Sequence, residues 1–332
     1  MNRILEGVDR FQRRHPVIGL PLAVFKRFGD QGGGRLVTTI AYWSFFSIFP
    51  LLLVFVAVLN IVLRDDPEQR QRLLDGALGQ VPVIGTELGE SQSALGGSWV
   101  TVALGAATAL WSGLAAANAL QVALEEVWDV PGFERPNAVV QRGRSVGFLV
   151  VLAVGLSAST VAVSATSIFG SNAATFVAAH LVSFAVNVAV LYATFTLLVS
   201  ERHPWRQSRP GILVAAAVLV VLQSVGRWVV ERYIAGASDT YGTFAIVIAL
   251  LSWFYLVARV VLLGAELNAV LVHRLWPRSV VDSTGATEGD RRAMLHDQRR
   301  IQRDRHVGVA VSTDGQPAMA TIADDGPTAA GS

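Results

Sequence analysis

Arg259 and Glu266 are ionisable side chains set in a stretch that is otherwise almost wholly apolar. The twenty-nine residues between Thr243 and His273 read FAIVIALLSWFYLVARVVLLGAELNAVLV, with Asn268 as the third polar member. A charge in hydrocarbon costs about 2.5 kcal/mol or more on insertion scales, so such groups face a protein interior or a wet cavity and mark substrate or ion paths. A second set, Asn118, Gln121 and Glu125, is spaced i, i+3 and i+7, which puts all three on one helical face. Together these residues would line a polar cavity inside a membrane bundle, as a transporter requires.

Arg259 and Glu266 lie seven positions apart, about 10.5 Å along a helix axis, so they do not pair directly and each needs a partner on another helix. Glu125 is the expected partner of Arg259. The plainer reading of the same groups is structural: interhelical hydrogen bonds contribute ~0.6 to 2 kcal/mol each and hold bundles together. Asn60, Asn187 and Gln223, each alone in an apolar run, suit that reading better. Arg227 and Glu231, at i and i+4, could close an ion pair within one helix.

No catalytic arrangement accompanies these groups. The six histidines, His15, His180, His203, His273, His296 and His306, form no HxH or HExxH pattern, and cysteine is absent. There is no GxxxxGK[ST] phosphate loop, and the Gly32 to Gly34 run follows no strand. The residues therefore imply no catalytic side chain, no metal site and no cofactor. The isoelectric point near 9.3 does not point to nucleic acid, because the basic residues sort by membrane side.

The elements that must position the polar groups follow from composition. With 52% hydrophobic and 16% charged residues and a mean hydropathy of +0.47, the chain holds more apolar surface than a soluble core hides. Six stretches are long enough to cross a bilayer, at about 36–63, 99–124, 146–169, 176–199, 211–230 and 243–272. The expected fold is an all-α integral membrane protein, a six-transmembrane-helix bundle over residues 36–276. Residues 1–35 form a basic arm with an interfacial amphipathic helix and no cleaved leader, and residues 277–332 a charged, largely disordered tail in which 290–305 reads as a helix.

Seven basic residues in the arm, Arg135, Arg142 and Arg144 in the 129–145 loop, and Arg202, Arg206 and Arg209 in the 200–210 loop put those segments and both termini in the cytoplasm. The 64–98 loop, with three basic and six acidic residues, falls outside, and its apolar spacing over 68–80 suits a small lid. Pro50 should kink the first span, as a gate or to fit a neighbour. Trp99, Trp128, Trp205, Trp228 and Trp276 fall near span ends, where interfacial anchors belong.

Three segments carry a resemblance: AYWSFFSIFPLLLVFVAVLN at 41–60, LWSGLAAANALQVALEEVWDV at 110–130 and LLSWFYLVARVVLLGAELNAV at 250–270. Over Leu22 to about Trp276 the chain resembles the YihY/BrkB family of bacterial inner-membrane proteins, formerly labelled ribonuclease BN. The resemblance implies six membrane helices with cytoplasmic termini, and it carries over Pro50, Gly264, Glu266 and Asn268 as motif positions without a chemical role. It also implies membrane lipids as partners and a lipidic or amphiphilic substrate. The alternatives are a non-transporting scaffold for envelope integrity and, from the family's older label, a ribonuclease, for which the residues offer no chemistry.

Overall fold

The computed structural model describes residues 16–62, 99–169, 173–200, 204–229, 235–279 and 286–301, without the side chains of 51–62, 156–169, 235–243 and a few other positions. The expected lid at 68–80, the Arg227–Glu231 pair, Asn60, residues 1–15 and the tail beyond Ile301 lie outside that description. Among the described residues all regular structure is helical: α1 (Pro16–Asp30), α2 (Gly33–Val62), α3 (Trp99–Val127), α4 (Ala138–Phe169), α5 (Ala173–Leu198), α6 (Trp205–Val229), α7 (Ala235–Val272) and α8 (Glu288–Ile301). Five segments are long and apolar enough to cross a membrane: Ala103–Val127, Ala138–Gly155, Val177–Leu198, Trp205–Gly226 and Val247–Val272.

Helix ends differ from the sequence expectation where local chemistry overrides hydropathy. The expected 129–145 loop is cut short because Asn137 accepts from the Val140 N–H at 3.0 Å and caps α4, so Arg142 and Arg144 ride on its first turns. α6 begins at Trp205 and runs through Pro210. At 38 residues, α7 starts well before Thr243 and is about 57 Å long from its helical rise.

The C-terminus of α3 is closed by a Schellman turn. Asp129 takes φ 53°, its N–H bonds to the Glu126 carbonyl, and the Val130 N–H reaches back to Glu125. Arg274 does the same for α7, again at φ 53°, with the Leu275 N–H on the Val270 carbonyl. Aspartate tolerates this left-handed position better than most side chains.

Each helix from α2 to α7 packs against the next in sequence, and α7 closes the ring by packing on α2, while α1 lies against α7. Val37, Leu124, Leu198, Ile212 and Leu262 are fully buried where α2, α3, α5, α6 and α7 converge at the α1 end of the bundle. The perimeter is apolar instead. Leu104, Trp111, Val154, Leu181, Val221 and Phe244 each expose more than 60% of their surface, as residues solvated by lipid tails do.

Candidate functional site

The sequence-derived polar residues occupy several different places. The most heavily bonded is a junction built around a residue of α1. Arg27 is 3% exposed. Its Nη1 donates to Glu266 Oε2 at 2.6 Å, and its Nη2 donates to Asp129 Oδ2 at 2.7 Å and to the Val127 carbonyl at 2.6 Å. The last acceptor is one of the carbonyls that a helix leaves without an internal partner at its C-terminus, so the guanidinium also caps α3 where the helix dipole is negative. Gln31 Nε2 completes Asp129 by donating to Oδ1 at 2.9 Å. Burial pulls the Arg27 guanidinium down, but Glu266 and Asp129 outweigh it and hold its pKa above the ordinary value. One cation thus ties α1 to the ends of α3 and α7.

Glu125 belongs to a second network on another side of α3. It accepts from Ser200 Oγ at 3.0 Å and from Gln121 Nε2 at 3.4 Å, and Arg135 Nε lies 3.6 Å from its other oxygen. Arg144 of α4 donates to Ser200 Oγ at 3.2 Å, so the chain of contacts joins α3, α4 and the end of α5. Arg135 also pairs with Glu126 at 3.3 Å.

The expected Arg259–Glu125 pair does not form. Glu125 instead meets Ser200, Gln121 and Arg135, whereas the Arg259 guanidinium lies 5.8 Å from the centre of the Phe28 ring on α1, in cation–π range. Arg259 and Glu266 share a face of α7, as their spacing requires, and that face is covered by α1. A helix expected to lie apart in the interface supplies partners for both.

Asn268 serves a third contact. Its Oδ1 accepts from the Gly211 N–H of α6 at 2.7 Å. The approach depends on two glycines: a Cβ on Gly211 would sit 1.9 Å from the Gly264 carbonyl oxygen, and one on Gly264 would sit 2.8 Å from the Ala215 Cβ. Gly264 is thereby explained as a crossing point. Pro50 lies within α2, whose helix continues through it. Asn187 and Gln223, isolated in sequence, meet between α5 and α6, where Gln223 Oε1 accepts from Ser183 Oγ at 3.2 Å and lies 3.5 Å from Asn187 Nδ2.

Asn118 stands apart from all of these. It is exposed and lines a cleft of about 410 Å³ between α2 and α3. Arg35, Leu36, Thr39 and Trp43 form the α2 wall, and Ala115, Asn118, Ala119, Val122 and Glu126 the α3 wall. Of the six polar residues expected to line one cavity, Asn118 is the one that lines this cleft.

Sequence reasoning missed Arg27, Asp129 and Arg35 as site residues because it counted them as loop or arm residues, and it passed over Gln31. The available signal was the demand of Glu266 for a cation: no basic residue other than Arg259 lies within its own span, and Arg27 sits among Val24, Phe25 and Phe28 in an apolar helical stretch. Trp128, expected as an interfacial anchor, is 3% exposed and stands edge-on to His273, because the turn at Asp129 folds the end of α3 under α1 and α8.

The segment after α7 is tied to the same end of the bundle. Thr287 and Asp290 form a capping box for α8: Asp290 Oδ2 accepts from the Thr287 N–H at 2.9 Å, and Thr287 Oγ1 accepts from the Asp290 N–H at 3.1 Å. Arg278 bridges Asp290 and Asp30 of α1 at 2.9 Å each. Burial raises the Asp290 pKa, but the hydrogen bonds from Thr287 and Ser279 outweigh it and hold the carboxyl well below the usual range. His296 Nδ1 of α8 lies 3.8 Å from Asp129 Oδ2, and its ring packs on His273 at 4.1 Å.

This assembly of an apolar ring with a buried arginine junction spans the region, residues 24–284, that matches the family model described as virulence factor BrkB. The chain belongs to the BrkB family. Among BrkB-like relatives, the inner membrane protein YhjD of Escherichia coli (strain K12) is 27% identical over 286 residues, 80% of this chain and 85% of that protein. The UPF0761 membrane protein Smlt0865 of Stenotrophomonas maltophilia (strain K279a) is 26% identical over 79% of this chain, which spans 63% of that protein. YfkH of Bacillus subtilis (strain 168), whose name calls it ribonuclease-like, is 24% identical over 76% of this chain and 94% of its own length. No solved structure gives a significant match.

Proposed function

We propose that this membrane protein is a permease for a lipidic or amphiphilic substrate, and that the substrate is held in the cleft between α2 and α3. The observation that carries the reading is the composition of that cleft: Arg35, Thr39, Asn118 and Glu126 share it with Leu36, Trp43, Ala119 and Val122, a mixture that suits neither a purely apolar nor a purely polar ligand. In this reading α2 is a sixth membrane span, α1 lies at the interface, and the α1 end faces the cytoplasm, as the arginine-rich segments favour. Glu266, Asn268, Gln121 and Glu125 hold the walls of the permease rather than touch its cargo.

The family membership and the membrane-protein names of relatives support a membrane role, and one relative's ribonuclease-like name at 24% identity is weak support for an enzyme. The test is transbilayer movement of a fluorescent phospholipid in proteoliposomes. The reading expects movement above protein-free vesicles that falls when bulky Asn118→Trp fills the cleft. Movement no faster than in protein-free vesicles would sink it. A scaffold reading is favoured by the Arg27 junction, whose bonds serve cohesion. It expects Asn118→Trp to leave function unchanged and Arg27 variants to lose function only as they lose folded protein.

A further inference from the structure

The two walls of the α2/α3 cleft change polarity in step. On α2 the lining runs Arg35, Thr39, Trp43, at i, i+4 and i+8, a distance of about 12 Å along the axis. On α3, which packs along α2, it runs the other way from Glu126 through Val122 and Asn118 to Ala115. Charge is concentrated at the α1 end. The far end is apolar, with Trp43 standing edge-on to Trp111 at 6.1 Å and exposed Tyr42 and Phe46 beside it. A ligand filling this cleft must itself be polar at one end and apolar at the other.

The polar end favours one charge. The Arg35 side chain is exposed and bonds to no carboxylate among the described residues, and the Asn118 side chain is likewise exposed and bonds to no partner among them. Thr39 Oγ1 spends its proton on the Arg35 carbonyl at 3.0 Å. Glu126, the one carboxylate in the lining, has Arg135 Nη2 at 3.3 Å, which offsets its charge yet leaves it unfavourable to a doubly charged anion. An exposed guanidinium is a group that takes a phosphate oxygen pair in bidentate fashion. The volume of about 410 Å³ lies within the ~300 to 1,000 Å³ of small-ligand sites, room for a head group and the start of its chains, with the remainder continuing into lipid.

Resting on the permease reading of this same cleft, we infer that its ligand is a singly charged phosphodiester amphiphile, with the phosphate on Arg35 and the chains passing Trp43 toward Trp111. Binding can be measured apart from transport. The full chain is placed in phosphatidylcholine vesicles containing brominated-chain phosphatidylglycerol or, at equal mole fraction, brominated-chain phosphatidylcholine. The quenching of tryptophan fluorescence that disappears in Trp43→Phe is then recorded.

The expected result is several-fold stronger quenching of the Trp43 component by the phosphatidylglycerol probe, a preference lost in Arg35→Gln and partly kept in Arg35→Lys. Equal quenching by both probes in the wild type, or a preference that survives Arg35→Gln in protein with an unchanged circular dichroism melt, overturns the site. Inorganic phosphate at millimolar concentration is expected to leave quenching unaltered; if it relieves the quenching, the site takes free phosphate and the amphiphile is wrong. A retained preference together with absent lipid movement leaves the site standing and removes the permease. Movement without preference does the reverse.

Discussion

Arg27 and Arg35 stand eight residues apart on either side of the Gln31–Gly32 break between α1 and α2, yet the bundle treats them in opposite ways. Arg27 is almost fully buried and meets two carboxylates and a helix-terminal carbonyl. Arg35 is exposed at the mouth of a cleft and meets none of the described carboxylates. The difference teaches where cohesion and function divide in this molecule. A charge whose acceptors are all supplied by the protein is a fastening, while one left facing an amphipathic cleft is available to a ligand.

The largest expected effect breaks the fastening. Arg27→Leu leaves Glu266 and Asp129 buried without their cation, a loss of ~3 to 5 kcal/mol, read as a collapse in the yield of monodisperse protein and a lower melting temperature in detergent. Adding Glu266→Gln and Asp129→Asn to Arg27→Leu should recover part of that loss, since no charge is then left uncompensated. If the triple variant is as unstable as Arg27→Leu alone, the junction does not act as one electrostatic unit.

Next comes the α6/α7 crossing, which helps hold the frame behind the cleft. Gly264→Val forces a side chain against Ala215 and the Gly211 carbonyl, and overpacking of this kind costs ~1 to 3 kcal/mol. Asn268→Leu should cost ~1 to 3 kcal/mol by removing the acceptor of the buried Gly211 N–H. Thermal melts of both variants at equal detergent concentration check the pair.

A smaller effect concerns α8. The Asp290 carboxyl is held below its ordinary pKa, so its contribution is complete above about pH 4, the unfolded value, and is lost as pH falls through the depressed value. Protection of α8 from limited proteolysis should therefore be flat from neutral pH to pH 5 and vanish only in stronger acid. Asp290→Asn should remove roughly 1 to 2 kcal/mol of that protection at neutral pH, as loss of a capping carboxylate does. Wild-type protection that falls between pH 7 and 5 would assign the docking to a group other than Asp290.

The smallest effect on stability is expected at Arg35. Arg35→Gln should shift the melt by no more than ~0.5 kcal/mol, as exposed substitutions do, while changing what the cleft binds.

Much of the bundle was legible because hydropathy over twenty residues is a strong signal. The apolar runs 99–124 and 243–272 lie within α3 and α7, and 176–199 overlaps α5 to its last residue. The ends were less legible, since the Asn137 cap and the Asp129 turn depend on one or two residues that hydropathy averages away. Asn118 was found from its spacing and does line the cleft. Gln121 and Glu125, on the same predicted face, turned out to be sealed by Arg135, Arg144 and Ser200, contacts between elements that no periodicity encodes. Arg259 and Glu266, seven positions apart, meet Phe28 and Arg27 of α1. Their partners were missed because α1 docks against α7, and tertiary docking leaves no period in the sequence.

The most direct test of the division between fastening and cleft is lipid translocation per folded protein in proteoliposomes, compared between wild type and Arg35→Gln at matched reconstitution. The account predicts that Arg35→Gln, with a melt like that of the wild type, loses most of its movement of a fluorescent phosphatidylglycerol. Wild-type translocation in the Arg35→Gln protein would contradict it.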